Sequence, residues 1–190
     1  LDPMHGTVGV ATGGFEARAT ITADAHGGNM DTPEIRKGAT VYFGVKHEGG
    51  LLAIGDGHCR QGEGEVIGTA VEAAMNTVIV IDLIKGIFTP WPRIENDLSI
   101  MSTGSTKPLE DAYRISQHDL INWVAADSKL DILDALQLVS QAGRAPVGNV
   151  VDPNYTFVSM VDKKYLPTKE VMGGTHGKLS TIAAEYRKGK

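Results

Sequence analysis

Residues 55–68 read GDGHCRQGEGEVIG, placing one Asp, one His, two Glu, an Arg, a Gln and the chain's only Cys among five glycines. Asp56 and His58 stand two positions apart. In an extended segment that spacing sends both side chains to one face. A carboxylate and an imidazole converging there are ligands for a divalent metal such as zinc. Glu63 and Glu65 share a face in the same way. Either could act as a general base if burial or a neighbouring charge tunes its pKa. The glycines allow tight bends and a close approach to a ligand. The same letters also write a plain exposed turn, since Asp-Gly and Gly-Glu-Gly are ordinary turn sequences.

A second cluster is HGGNMD at 26–31. His26 or Asp31 could complete a metal sphere with Asp56 and His58. The competing reading is a polar turn whose Asn and Asp bond their own backbone. Cys59 would be a nucleophile only with a lowered pKa, which Arg60 could help to provide. The favoured reading is a small, partly buried, inert residue. His47, His118 and His176 read as surface histidines, Trp91 and Trp123 as core or interface, and Lys163-Lys164 as solvated charge. There is no glycine-flanked serine elbow and no phosphate-binding loop. The Gly/Ser-rich segment of the Ser-Ser-Lys amidases is also absent.

The elements that must hold these groups follow from periodicity. Short strands are expected at Thr7–Ala11 and Phe15–Thr22. Thr40–Val45 and Leu51–Gly55 read as a hairpin across Glu48-Gly49-Gly50. Further strands are expected at Thr77–Ile84 and Ile94–Ser102. From Pro108 to Ala125 the apolar spacing becomes helical, with Pro108 in the first turn. Ser128 and Asp131 resemble a capping box for a second helix, which Gly143 ends. Gly148–Val151 and Thr156–Val161 close the strand set, and a short helix is expected over Leu179–Arg187. Strands, then a helix pair, then strands indicate α+β. The expected architecture is β-rich, with mainly antiparallel or barrel-like sheets and the helix pair packed on one side.

Composition sets the outer bounds. The chain has 190 residues, 42% of them hydrophobic, and a formal net charge of −5. That charge, without a basic cluster, argues against nucleic acid and acidic membrane surfaces as partners. No apolar run has the length of a bilayer span. One cysteine cannot form an internal disulfide, so a reducing, cytoplasmic setting is expected. The chain opens on Leu1 and enters structured-looking sequence at once, so an upstream segment or separate chain is an expected partner.

Five stretches together resemble the acetamidase/formamidase family: PMHGTVGVA at 3–11, HGGNMDT at 26–32, GDGHCRQGEGEVIGTAVE at 55–72, STGSTKPLEDAYR at 102–114 and NVVDPNYTF at 149–157. The resemblance implies hydrolysis of a short amide, formamide or acetamide in type, to acid and ammonia. It implies a divalent metal, zinc first, with calcium as a candidate second ion, and a homodimer. Carried over by position, Asp31, Asp56 and His58 become metal ligands. Glu65 becomes the base, with Asp56 and His58 beside it in the catalytic centre. Asn29, Gln61 and Gly62 become substrate-binding or orienting groups. A cyclic amide is an alternative substrate. The family carries a substantial N-terminal half that is not in this sequence. Residues 1–165 are therefore expected to be the C-terminal part of the catalytic region, and 166–190 a peripheral tail. A cleaved-enzyme fragment or a non-catalytic remnant are the alternatives. Two local departures are Cys59, where the family usually has a small residue, and Glu63, where Asp is usual.

Overall fold

The computed structural model describes residues 1–189, so the last residue of the expected tail lies outside the described residues. Two antiparallel sheets and three α-helices make up the fold, and the α+β class holds. The smaller sheet has β1 (Met4–Gly9) at its centre, flanked by β2 (Gly27–Asn29) and β4 (Ala53–His58). The larger sheet is built from β3 (Thr40–Tyr42), β5 (Arg93–Glu95), β6 (Ser99–Thr106), β9 (Tyr155–Asp162) and β7 (Gly143–Arg144), in that order. A further short strand, β8 (Val147–Asn149), also pairs with β9. The helices are α1 (Leu109–Ser128), α2 (Ile132–Ala142) and α3 (Thr175–Lys188).

The larger sheet is apolar on both faces, which is why β6 is buried along almost its whole length. Ile100 and Val161 turn to the helices and meet Leu120, Trp123 and Val124 of α1 and Val139 of α2. Met101, Val158 and Met160 turn the other way, against Val8, Met30 and Ile35 from the smaller-sheet region. Alternation along a strand places neighbours on opposite faces, so one sheet serves two cores. Each fully buried Leu, Val or Met contributes roughly 1.5–3 kcal/mol. Gly104 sets the closeness of α1, because a Cβ there would overlap the Ala112 carbonyl oxygen.

A buried ion pair crosses the helix–sheet interface. Arg93 donates from Nε and Nη2 to the two carboxylate oxygens of Asp119, both at 2.8 Å, and Ser102 Oγ donates to Asp119 Oδ2 at 2.6 Å. The Arg93 guanidinium also lies 5.0 Å from the Trp123 ring centroid. Asp119→Ala would leave that guanidinium buried without its partner. The expected loss is about 3–5 kcal/mol of unfolding free energy, read by urea denaturation. A loss under about 1 kcal/mol, the range of an exposed pair, would show the bridge to be inessential.

Several expected elements fall differently. The proposed hairpin does not form: β3 pairs with β5, and β4 pairs with β1 in the other sheet. Phe15–Thr22 forms no strand. Thr77–Ile84 joins no ladder, and Val78, Ile79, Ile81 and Leu83 are exposed. The span Ile94–Ser102 divides into β5 and β6, because Asn96 Oδ1 accepts from the Leu98 and Ser99 N–H groups and turns the chain. Asp131, not Ser128, caps α2, accepting from the Leu133 N–H at 2.9 Å. Gly143 does end that helix. His176 is buried rather than on the surface, bonded to Thr40 and Asp97. Lys163 is buried against Glu95 at 2.6 Å. Leu166, Val171 and Met172, early in the expected tail, belong to the helix-side core.

Candidate active site

Gly6, in the middle of β1, is the point on which the site converges. A Cβ at Gly6 would overlap Asp31 Oδ1 and Asp56 Oδ2 and lie 3.0 Å from His58 Cε1. These side chains arrive from both neighbours of β1. Asp56 and His58 come from β4, held in register by the pairs Met4↔His58 and Thr7↔Gly55. Asp31 follows β2, and its backbone N–H donates to the Gly6 carbonyl at 3.1 Å. Glu65 sits in the loop after β4, which is pinned to the β8 region: the Gly64 N–H donates to the Val147 and Gly148 carbonyls, each at 3.0 Å.

The structure adds two carboxylates that spacing did not reveal. Glu72 is brought beside His58 because residues 71–73 run antiparallel along the outer edge of β4, with the Cys59 N–H donating to the Val71 carbonyl at 2.7 Å. Asp152 lies between β8 and β9, its N–H bonded to Asn149 Oδ1 at 3.3 Å. Three ligand groups result: Asp31 with Asp56 and His58; His58 with Glu65 and Glu72; and Asp31 with Glu65 and Asp152. Within each, one ligand atom per residue lies within 4.8 Å of the others. His26 joins none of them. Cys59 is half-buried and is also outside them, and Glu63 is exposed.

His58 is 1% exposed, and its tautomer follows from its neighbours. Gln61 Nε2 donates to the Asp31 and Gly148 carbonyl oxygens, which fixes the amide so that Oε1 faces His58 Nδ1 at 3.0 Å. Nδ1 therefore carries the proton and donates. Nε2 is left to face Asp56 Oδ1 at 3.2 Å, Glu72 Oε2 at 3.3 Å and Glu65 Oε1 at 4.0 Å. A second partner that locks the imidazole in this way is the usual support for a metal-binding histidine. Asn29 plays the same part for Asp31. Its Nδ2 donates to Asp31 Oδ2 at 2.6 Å and to Asp152 Oδ2 at 2.8 Å, and its Oδ1 accepts from Thr7. Asn29 and Gln61 thus bond protein groups and orient the cluster. Gly62 is exposed, and its carbonyl accepts from the Glu65 N–H at 3.2 Å, shaping the turn.

Electrostatics favour a cation at this point. Asp31 is 1% exposed, and its Oδ1 is buried without a hydrogen-bond partner. Burial, then the hydrogen-bonded Asp152 carboxyl, then the charges of Glu65, Asp152 and Asp56, push Asp31 up to about 10. Burial also raises Glu65, helped by Asp152, Asp56 and Glu72 and opposed by His58. Asp31, Asp56 and Glu65 all hold left-handed backbone, with φ of 44°, 55° and 44°. Such conformations cost of order 1–3 kcal/mol each in non-glycine residues and cluster at functional sites. An unpaired buried carboxylate oxygen, several converging acids and one pre-set imidazole fit a divalent ion.

The acetamidase/formamidase family profile matches residues 5–141. A formamidase of Methylophilus methylotrophus is 41% identical over 71 residues, covering 37% of this chain and 17% of that protein. The solved acetamidase of Yersinia enterocolitica superposes with a TM-score of 0.84 at 48% identity, covering 86% of this chain and 49% of that one. The acetamidase of Bacillus halodurans gives 0.78 at 32% identity, with 87% and 56% covered. A predicted acetamidase/formamidase of Thermoanaerobacter tengcongensis gives 0.82 at 34%, with 86% and 54% covered. The chain thus spans about half the length of these solved relatives. A family match over most of the chain, with a superposition that covers 86% of it, identifies it: the chain belongs to the acetamidase/formamidase family.

Proposed function

We propose that the protein hydrolyses a short-chain amide, formamide or acetamide in type, to a carboxylic acid and ammonia. The observation that carries this reading is the convergence of Asp31, Asp56 and His58 on the side-chain-free position Gly6, with Glu65 Oε1 4.0 Å from His58 Nε2. Asp31, Asp56 and His58 would hold a divalent ion, zinc by donor type, whose chemistry when bound is to polarise the amide carbonyl and acidify water. Glu65 takes the proton of the attacking water and returns it to the leaving nitrogen. Its raised pKa suits both halves of that transfer. Gln61 holds the His58 ring, and Asn29 holds the Asp31 carboxylate. The free cysteine supports a cytoplasmic setting, and exposed apolar residues support a homodimer.

The test is ammonia release from formamide and acetamide before and after chelation, with zinc added back. Asp56→Ala should lower activity by at least about 100-fold, since even the outer-shell partners of metal ligands contribute 10–100-fold. Activity indifferent to both chelation and Asp56→Ala would remove the metal mechanism. A second reading is a fragment that acts only with a complementary polypeptide. It is supported by the half-length match and by the exposed apolar residues in the unpaired stretch 74–84. Intact-mass analysis of the native protein, searching for a co-purifying chain, separates the two.

A further inference from the structure

Residues 71–77 form a strap that rounds the outer edge of the smaller sheet and ends on its central strand. Residues 71–73 run along the end of β4: the Val71 carbonyl accepts from the Cys59 N–H, and the Ala73 N–H donates to the Gly57 carbonyl, both at 2.7 Å. Glu72 stands opposite His58 in this pairing, so its side chain falls on the cluster side of the sheet. The chain then crosses to the other side. Gly57 precedes His58 on β4 and so faces away from the cluster, and Met75 lies over it. A Cβ at Gly57 would come within 2.8 Å of Met75 Cγ and 2.6 Å of the Ala73 carbonyl oxygen, so only glycine leaves room for the strap.

His5 ends the crossing. It pairs with Gly57 across β1 and β4 and shares its face. Its Nδ1 lies 2.9 Å from the Gly55 carbonyl oxygen, and its Nε2 lies 2.7 Å from Thr77 Oγ1. A carbonyl oxygen only accepts, so Nδ1 carries a proton and donates. In the neutral ring Nε2 then accepts from the Thr77 hydroxyl. One imidazole thus joins β1, β4 and the strap. Residues 78–81 are Val, Ile, Val and Ile, so the next side chain able to tie the chain down is Asp82, which is bonded to Lys178 at 2.5 Å.

Glu72 needs this support more than the other acids do. Its side chain is 49% exposed, against 5% for Glu65. The Ala70 N–H donates to Oε1 at 2.9 Å, which leaves Oε2 3.3 Å from His58 Nε2, the nitrogen free for a metal. A half-exposed carboxylate stays at that point only as firmly as its backbone is held. We infer that His5 is a positioning residue: through Thr77 it fixes the strap, and so keeps Glu72 against His58 on the solvent side of the metal position. This rests on the metal centre of the amidase reading and goes further, since it makes the back of the sheet control how long an ion is retained.

Zinc release into a chromophoric chelator tests this without turnover. Thr77 is exposed, so Thr77→Val removes the hydroxyl without opening a cavity. It should release zinc about three- to tenfold faster, the range that one net hydrogen bond supports, with stability in urea unchanged. Thr77→Ser should behave as the wild type, and His5→Ala should match or exceed Thr77→Val. The discriminating measurement is a double-mutant cycle. In a Glu72→Gln background Thr77→Val should add nothing, because the strap acts through that carboxylate. In metal-free protein the His58 side-chain nitrogen-15 resonances should move in Thr77→Val and stay in place in Thr77→Ser. Unchanged zinc release in Thr77→Val, or the same change with and without Glu72→Gln, would overturn the inference, as would a wild type that binds no zinc. Release coupled through Glu72, with no ammonia formed from formamide or acetamide, would keep the inference and sink the amidase reading. Ammonia formation with uncoupled variants would do the reverse.

Discussion

Gly6→Ala is expected to abolish metal retention and amide hydrolysis while leaving the fold intact. The glycine is not needed for backbone conformation, since its φ lies outside the left-handed region, and alanine can hold the β1 register. What alanine adds is one methyl group where Asp31 Oδ1 and Asp56 Oδ2 approach each other. Both carboxylates must then swing away, and His58 Cε1, 3.0 Å from the new carbon, is also displaced. Displacements of about 1 Å at reacting groups cost on the order of 100-fold in rate. Two ligands moving together should exceed that, and bound metal after dialysis should fall to background. Gly55→Ala is the matched control. It lies on the neighbouring strand β4, and a Cβ there meets nothing within 4 Å. Full metal content and activity in Gly6→Ala would show that the cluster does not close around this point.

The part of the site that was legible in the sequence is the part that one strand delivers. Asp56 and His58 are two residues apart on β4, so period-two geometry alone predicts their shared face. Asp31 needed the pairing of β1 with β2: the local sequence offers it only as an alternative to His26, and the family resemblance chooses between the two. Glu72 and Asp152 were missed because tertiary pairing, not spacing, brings them in. The Cys59–Val71 hydrogen bond folds Glu72 back onto His58, and Asn149 positions Asp152. Both lie inside stretches that matched the family, GTAVE and NVVDPNYTF, so the resemblance held a signal that spacing did not.

The fold follows the same division. The long helix after Pro108 and the stop at Gly143 are local features, and both occur close to where the pattern placed them. The failed hairpin is non-local. A glycine-rich turn is necessary for two strands to pair but does not choose partners, and β3 and β4 find better ones in β5 and β1. Thr77–Ile84 has high β-propensity, yet propensity reports fit to a neighbouring strand. Among the described residues no strand pairs with it. His176 and Lys163 read as surface because buried charge is rare. Each is buried with its own partners, Thr40 and Asp97 for the one and Glu95 for the other.

The metal-depleted protein should lose stability as the pH rises from about 4 towards 10, and a divalent ion should remove that loss. Asp31 is pushed up to about 10 from an ordinary value of 3.8, and Glu65 is also raised. Throughout that window the folded state holds protons that the unfolded state has released. Stability rises with pH only where the unfolded state binds more protons, so here it falls, by ~1.4 kcal/mol per pH unit for each proton held. The retained proton belongs to the Asp31, Asp152 and Glu65 group as a whole, because these carboxyls interact directly. Below about pH 4 the contribution is fully present. It is gone once the cluster ionises near pH 10. Asp31→Asn keeps the shape and the Asn29 contact but cannot ionise, so its metal-free slope should be shallower and its stability at pH 8 higher than that of the wild type. Metal binding displaces the same proton, so zinc should bind more tightly at high pH and flatten the wild-type profile while leaving Asp31→Asn almost unchanged. Urea unfolding at pH 6, 7, 8 and 9, with chelator or zinc, reads all of these slopes. A metal-free wild-type slope matching that of Asp31→Asn would mean that Asp31 ionises freely. The unpaired, buried Oδ1 would then have lost its role as the position a cation fills.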